Sequence, residues 1–192
     1  MIALTNVFLF LVSFIFDFYI IVLILHLLIQ KLEASYHNLV SQFVIRVTSL
    51  FVAPLQHIIP EFHGFDFSIV FLIIVFEFIQ AFLLFWLRSR LIPHFGGLLL
   101  ISIGALGNKC MSLYFYAIIF RIIISWVVSL QQSPAAEIIF LITDPVMKLI
   151  RRFIPAIAGF DAPALLLLMC FPLISFLFFD PLMNVGMRLA LM

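Results

Sequence analysis

Charge is scarce in this chain. Its 192 residues include ten Lys and Arg, nine Asp and Glu, and five His. At 10% charged residues, it falls far below the ~25% of soluble proteins and has too little charge to clothe a water-facing surface. The formal net charge is only +1, which excludes nucleic acid as a principal partner, because a phosphate-binding surface needs clustered Lys and Arg. Cysteine is scarcer still. Cys110 and Cys170 stand alone in apolar stretches without CxxC spacing, so neither a disulfide framework nor a zinc site is signalled, and both read as inert thiols. The histidines lack metal-ligand spacing, there is no glycine-rich phosphate loop, and no serine sits in a nucleophile elbow. No metal, no cofactor and no enzymatic activity are expected.

What the chain has instead is apolar surface: 66% of residues are hydrophobic and the mean hydropathy is +1.33. A bilayer is the solvent that such a composition requires. The opening stretch "MIALTNVFLFLVSF" lacks a basic region and a small-residue cleavage site, so it reads as a retained first helix. The 25 phenylalanines suit lipid contact and packing along the spans.

A repeat organises the sequence. "IPEFHGFDF" begins at Ile59 and "IPAIAGFDA" at Ile154, 95 positions on. The same offset aligns Tyr19 with Tyr114 and Thr48 with Thr143 without a gap. Shared Pro, Gly and Asp at one fixed offset point to a tandem duplication, with copies at residues 1–90 and 96–185. Each copy reads as a long apolar helix, an amphipathic segment and a second apolar helix. The four spans fall roughly at Ile2 to Gln30, Phe67 to Leu87, Gly97 to Val127 and Pro163 to Phe179. The fold class expected is an all-α polytopic membrane protein, with four transmembrane helices in two tandem parallel repeats and an interfacial helix inside each. An even number of spans per copy makes both copies enter the membrane in the same direction, so both amphipathic segments face one compartment.

In the second copy Asp144-Pro145 reads as a helix start, an N-cap followed by Pro at the first helical position. The polar residues Glu137, Asp144, Lys148, Arg151 and Arg152 then form one stripe at helical period, and Gln42, Arg46, Ser49, Gln56 and His57 form the matching stripe of the first copy. Helices of about ten residues with this pattern are too short to span and lie in the headgroup region. Arg46, His57, Lys148, Arg151 and Arg152 are the candidate contacts to anionic lipid or to a partner. The corner that follows is built from Pro60, Gly64 and Asp66, and again from Pro155, Gly159 and Asp161. Pro stops the helix, Gly supplies a turn and Asp caps the next span. A cation site shared by Asp66 and Asp161 across the pseudo-twofold axis is the alternative use of the two carboxylates.

Five ionisable groups fall inside the spans: Asp17, His26, Glu77, Lys109 and Arg121. An acidic group at the depth of Glu77 costs roughly 2.5 to 3.5 kcal/mol on insertion scales, so it needs a partner or a proton. Arg121 is the partner expected, and His26 takes its place in the first copy. Paired charges that fix helix order, a polar path for protons or cations, and snorkelling of the basic groups to the interfaces remain open. Lys31, Arg46, Lys148, Arg151 and Arg152 on the amphipathic side, against Arg88, Arg90 and Arg188 on the other, lean towards cytoplasmic amphipathic helices.

The unit "TDPVMKLIRRFIPAIAGFDAP", with "TSLFVAPLQHIIPEFHGFDFS" in the first copy, resembles the YggT (YlmG) family of small bacterial inner-membrane proteins, also found in cyanobacteria and plastids. The resemblance covers nearly the whole chain and rests on Asp144-Pro145, Arg151-Arg152, Pro155 and Gly159-Phe160-Asp161, with Arg121 and Ser125-Trp126 in the preceding helix. The first copy departs from it, with Gln56-His57 in place of a basic pair, Ser49-Leu50 without the proline, and His26 in place of the arginine. The resemblance implies a multi-pass bacterial inner-membrane protein linked to osmotic stress tolerance and potassium homeostasis, or to nucleoid distribution and cytochrome assembly in photosynthetic lineages. Two functions are carried forward. One is a non-catalytic scaffold or assembly factor that organises anionic lipid, a protein partner or a homo-oligomer. The other is a small potassium or proton channel or transporter component.

Overall fold

The computed structural model describes residues 2–35, 37–57, 59, 66–152 and 161–192, and all regular structure among them is helical. The helices are α1 (Ile2–Lys31), α2 (Leu39–Gln56), α3 (Phe67–Ser89), α4 (Phe95–Trp126), α5 (Pro134–Arg151), α6 (Ala162–Ile174) and α7 (Asp180–Ala190). A π-helical segment, Ser175–Phe179, joins α6 to α7 without a break. It follows Pro172, whose missing N–H and ring disturb the regular ladder at that point.

Among the described residues, five stretches are long and apolar enough to cross a bilayer: Asn6–Lys31, Leu39–Gln56, Phe67–Ser89, Phe95–Trp126 and Ala162–Ala190. The extra one beyond the four expected is α2. The amphipathic helices are also longer than expected, at 18 residues each. The reason is visible at their starts. Asn38 caps α2 by accepting from the Val40 amide at 2.8 Å, and Ser133 caps α5 by accepting from the Ala136 amide at 3.2 Å. Asp144-Pro145 therefore does not begin a helix. Ser133-Pro134 supplies the same cap-then-proline signal one element earlier, and Pro145 lies inside α5, where it removes one ladder hydrogen bond.

α1 and α3 run antiparallel, with Gln80 of α3 beside Asp17 and Ser13 of α1. α4 lies antiparallel to the whole run from α6 to α7, because Tyr114 stacks on Phe171 near one end and Gly97 meets Ala190 at the other. The α4–α7 contact is backbone to backbone. A Cβ added at Gly97 would lie 2.3 Å from the Ala190 nitrogen, and one at Gly186 would lie 2.8 Å from the Ile101 nitrogen. Small residues are what allow helices to approach this closely where lipid offers no hydrophobic drive.

Two apolar cores have matching membership. Leu23, Val52, Ile69 and Leu72 are buried in the first, while Ile118, Met147, Ala164 and Leu167 are buried in the second. Each of these residues is 95 positions from its counterpart. A third apolar cluster, containing Val22, Ile29, Val44, Ile138 and Ile142, joins α1 and α2 to α5. Large apolar side chains such as Phe10, Phe14, Ile15 and Phe18 point outward from α1, as a lipid-facing helix requires.

Candidate functional site

The most polar interior site is gathered from three helices. The Lys109 ammonium on α4 lies 2.8 and 2.6 Å from the two oxygens of Glu77, 3.0 Å from Gln80 Oε1 and 3.1 Å from Asp17 Oδ1. Gln80 in turn donates to Asp17 Oδ1 at 2.8 Å, and the Ser13 hydroxyl donates to Asp17 Oδ2 at 3.0 Å. Glu77 is 2% exposed, whereas the Asp17 side chain keeps 39% of its surface open. With all three groups ionised, the set carries two negative charges for one positive. A Lys chelated by four oxygens also locks α4 to the antiparallel pair α1 and α3.

Of the five intramembrane candidates, Asp17, Glu77 and Lys109 come together and His26 and Arg121 do not. The expected Glu77–Arg121 pair does not form. Arg121 lies twelve residues past Lys109 on the same helix, about 18 Å along it, and Lys109 is the cation level with Glu77. Ser13 and Gln80 complete the site and were missed. Their signal was spacing: Ser13 lies four residues before Asp17 and Gln80 three after Glu77, positions that share a helical face.

A cavity of about 440 Å³ opens onto this network, with Ser13, Asp17, Glu77, Gln80 and Lys109 at one end, Arg88 and Ser89 at the other, and Leu84, Phe85, Ile101, Met183 and Met187 in its walls.

The second candidate region is the end of the molecule occupied by α2 and α5. Arg121 Nη1 donates to the Thr143 hydroxyl and to Asp144 Oδ1, both at 2.6 Å, and its guanidinium stands 4.9 Å from the Phe140 ring centre. His26 Nδ1 stands 2.7 Å from the Thr48 hydroxyl. Both threonine hydroxyls also donate back to their own helix, to Val44 and Ile139 carbonyls. His26 and Arg121, Thr48 and Thr143, and Val44 and Ile139 are each 95 positions apart.

The corners repeat in the same way. Gln56 donates to Asp66 Oδ2, and Arg151 lies 3.3 Å from Asp161 Oδ2. Asp66 also caps α3 through the Ser68 amide at 2.9 Å. Asp161 makes no such cap, since its counterpart partner is Pro163, which has no N–H. Each carboxylate thus has a partner within its own corner. Pro60, Gly64, Pro155 and Gly159 lie outside the described residues.

Between the two amphipathic helices, Asn38 Nδ2 donates to the Pro134 carbonyl at 2.8 Å and to Glu137 Oε2 at 2.7 Å. Arg46, His57, Lys148, Arg151 and Arg152 are all exposed. Among the described residues, no group of three His, Cys, Asp or Glu is placed to hold a metal ion.

Comparison with known proteins places the chain in a family. The model of the family described as CCB3/YggT matches twice, at residues 5–87 and 99–182. The chain is 33% identical over 172 residues to "Uncharacterized protein in proC 3'region" of Vibrio alginolyticus, covering 89% of this chain and 92% of the relative. It is 32% identical over 170 residues to "Uncharacterized protein YggT" of Escherichia coli strain K12, covering 86% of each. It is 29% identical over 163 residues to "Uncharacterized protein PA0392" of Pseudomonas aeruginosa, covering 83% of this chain and 81% of the relative. No solved structure matches. The chain is a multi-pass membrane protein and belongs to the CCB3/YggT family.

Proposed function

We propose that this chain is a non-catalytic scaffold of the bacterial inner membrane, one that uses its two amphipathic helices as a single contact surface at the cytoplasmic face. It consists of two tandem copies, residues 1–90 and 96–185, with four spans in parallel repeats. α2 starts where α1 ends and finishes where the antiparallel α3 begins, so both its ends belong to one side of the membrane and it lies along the interface. α5 occupies the equivalent place in the second copy.

One observation carries the reading. The Asn38 bridge to Pro134 and Glu137 joins α2 to α5, and the His26–Thr48 and Arg121–Thr143 contacts fasten each to its own first span. The pair is therefore a fixed platform. Phe43 and Leu50 are exposed on α2 and Leu149 on α5, beside Arg46, Lys148, Arg151 and Arg152. Apolar anchors flanked by basic groups suit a surface of anionic lipid, on which a protein partner or a second copy would be gathered. A part in withstanding osmotic stress fits such a scaffold.

The test is lipid selection. Purified protein extracted from bilayers of mixed phosphatidylglycerol and phosphatidylcholine should retain an excess of phosphatidylglycerol. A variant with Lys148, Arg151 and Arg152 changed to Gln, eluting as the same folded particle, should lose that excess. Equal lipid selection by both proteins would sink the platform reading.

The alternative is a small cation-conducting protein. It is favoured by one observation, the excess carboxylate of the Asp17–Lys109–Glu77 set at the end of a cavity. Charge at such depth usually serves a path. Potassium and proton flux into liposomes, compared between wild type and Asp17→Asn, tests it. Wild-type flux that falls in the variant supports conduction, and no wild-type flux removes it.

A further inference from the structure

We propose that the cavity above Lys109 is an aqueous half-channel that brings protons to Asp17 from the face bearing Arg88, and from that face alone. The inference rests on the conduction reading and adds to it a direction, an acceptor and a seal.

The direction follows from the order of residues along α3. Arg88 and Ser89 stand at its end, and Glu77 lies eleven residues inside, about 16 Å of helix. Leu84 and Ala81 line the interval. A second cavity, of about 470 Å³, shares Ser13 and Arg88 with the first and continues along α1 to Asn6. Both cavities therefore lead to the end of the bundle opposite α2 and α5. The walls are largely apolar, and the polar groups that could hold water are gathered at the two ends, with two carboxylates, an amide and an ammonium at the inner one and Arg88 and Ser89 at the rim.

The seal lies immediately beyond. One step further along α1 and α3, Phe76 packs against Tyr19 and Phe16 with ring centres 5.0 and 6.1 Å away. Ile20, Leu23, Ile69, Leu72 and Ile73 then form a dry core, with Leu113 of α4 against it. The Tyr19 hydroxyl is buried there without a hydrogen-bond partner among the described residues, so it meets no continuing polar chain among them.

The acceptor follows from how the charges are used. Facing the network are Asp17 from α1, Glu77 and the distant Arg88 from α3, and Lys109 with the neighbouring Cys110 thiol from α4. Among the described residues, α7 contributes Met183 and Met187 to the cavity, with Leu191 just past its end, and its Asp180 is held by Asn108 at 2.8 Å. Lys109 engages both oxygens of Glu77 and only one of Asp17. Both carboxylates line the cavity, and Asp17 is the more open of the two, with 39% of its side chain exposed against 3% for Glu77. One proton on it brings the three-charge set to neutrality, and no bond other than O–H is made or broken.

The experiment uses the full chain with Cys110→Ser and Cys170→Ser, and a membrane-impermeant charged thiol reagent applied to either side of sealed vesicles. Ser89→Cys reports the rim, Ala105→Cys the cavity wall and Leu113→Cys the seal. Ala105→Cys should react from the side that labels Ser89→Cys and not from the other, and Leu113→Cys should react from neither. In parallel, infrared spectra between alkaline and acid pH should show a protonated-carboxyl band that is reduced in Asp17→Asn. An Ala105→Cys that stays unreactive while Ser89→Cys labels, or that reacts from the opposite side, overturns the half-channel. An Asp17→Asn spectrum identical to wild type overturns the assignment of the proton. Neither readout measures flux, so failure here is separate from failure of the conduction reading.

Discussion

Lys109 and Glu77 form the most enclosed ion pair among the described residues, with their side chains 13% and 3% exposed and 2.6 Å between Nζ and Oε2. They sit on α4 and α3, one from each half of the chain. Neither has an ionisable counterpart at the 95-residue offset, where Phe14 and Pro172 stand. The pair thus stands outside the contacts that recur at that offset, and it ties α3 to α4.

Removing one member should cost far more than removing both. Glu77→Leu leaves an ammonium in an apolar bundle with only Asp17 to answer it, and Lys109→Met leaves two carboxylates facing each other. Breaking a buried pair this way costs ~3–5 kcal/mol. The double variant Glu77→Leu with Lys109→Met keeps Asp17 bonded to Ser13 and Gln80, and should recover most of the loss. Thermal unfolding of the detergent-solubilised proteins reads the cycle. Additive losses in the double variant would show that the two residues act separately.

The glycines of α4 offer a sharper contrast. Gly96 and Gly97 are adjacent, but a Cβ on Gly96 meets only the His94 ring, at 3.6 Å, whereas one on Gly97 collides with the Ala190 backbone. Gly96→Ala should be neutral or slightly stabilising, since alanine is favoured in helices by ~1 kcal/mol. Gly97→Ala must push α7 away and should lower the melting temperature and the yield of folded protein. Equal behaviour of the two variants would contradict the close α4–α7 approach.

The two corners should differ in their sensitivity. Asp66 is fully buried and draws on Gln56 and its own cap. Asp161 and Arg151 are each about two-fifths exposed. Gln56→Ala strips a partner from a buried carboxylate and should destabilise by ~1–3 kcal/mol. Arg151→Ala breaks a pair open to solvent and should cost less than ~1 kcal/mol. A larger loss for Arg151→Ala, seen by thermal unfolding, would mean that the arginine has another partner.

Much of this architecture was legible in the sequence. Long apolar runs announce spans whatever their helical face, because lipid accepts all sides. Asp66 before an apolar run announces a cap, and it caps. Other features were hidden for identifiable reasons. Asp144-Pro145 carries the composition of a helix start, but Ser133-Pro134 carries it too, and only packing tells which one begins α5. Asp144 instead lends its carboxylate to Arg121. The partner of Glu77 was missed because α4 carries two cations, and depth counted from an assumed interface ranked the wrong one first. Neutral Ser13 and Gln80 drew no attention beside charged neighbours, although their spacing put them on the same faces.

The duplication itself can be tested by moving one contact between copies. Arg121 is answered by Asp144, and the residues 95 positions earlier are His26 and Ser49. Both line the same cavity of about 190 Å³, so an arginine at position 26 has room. His26→Arg alone places a new charge in a site where His26 is 8% exposed, and it should destabilise by ~2 kcal/mol or more. Adding Ser49→Asp recreates the pair found one copy later and should restore part of that loss, a coupling of ~0.5–3 kcal/mol. The control is Ser49→Asp alone, which lies at an exposed position and should change little. Rescue by Ser49→Asp, and not by Ser49→Asn, requires that α1 and α2 meet in the same geometry as α4 and α5. Without rescue in unfolding measurements, the matching threonine contacts would be a coincidence of sequence.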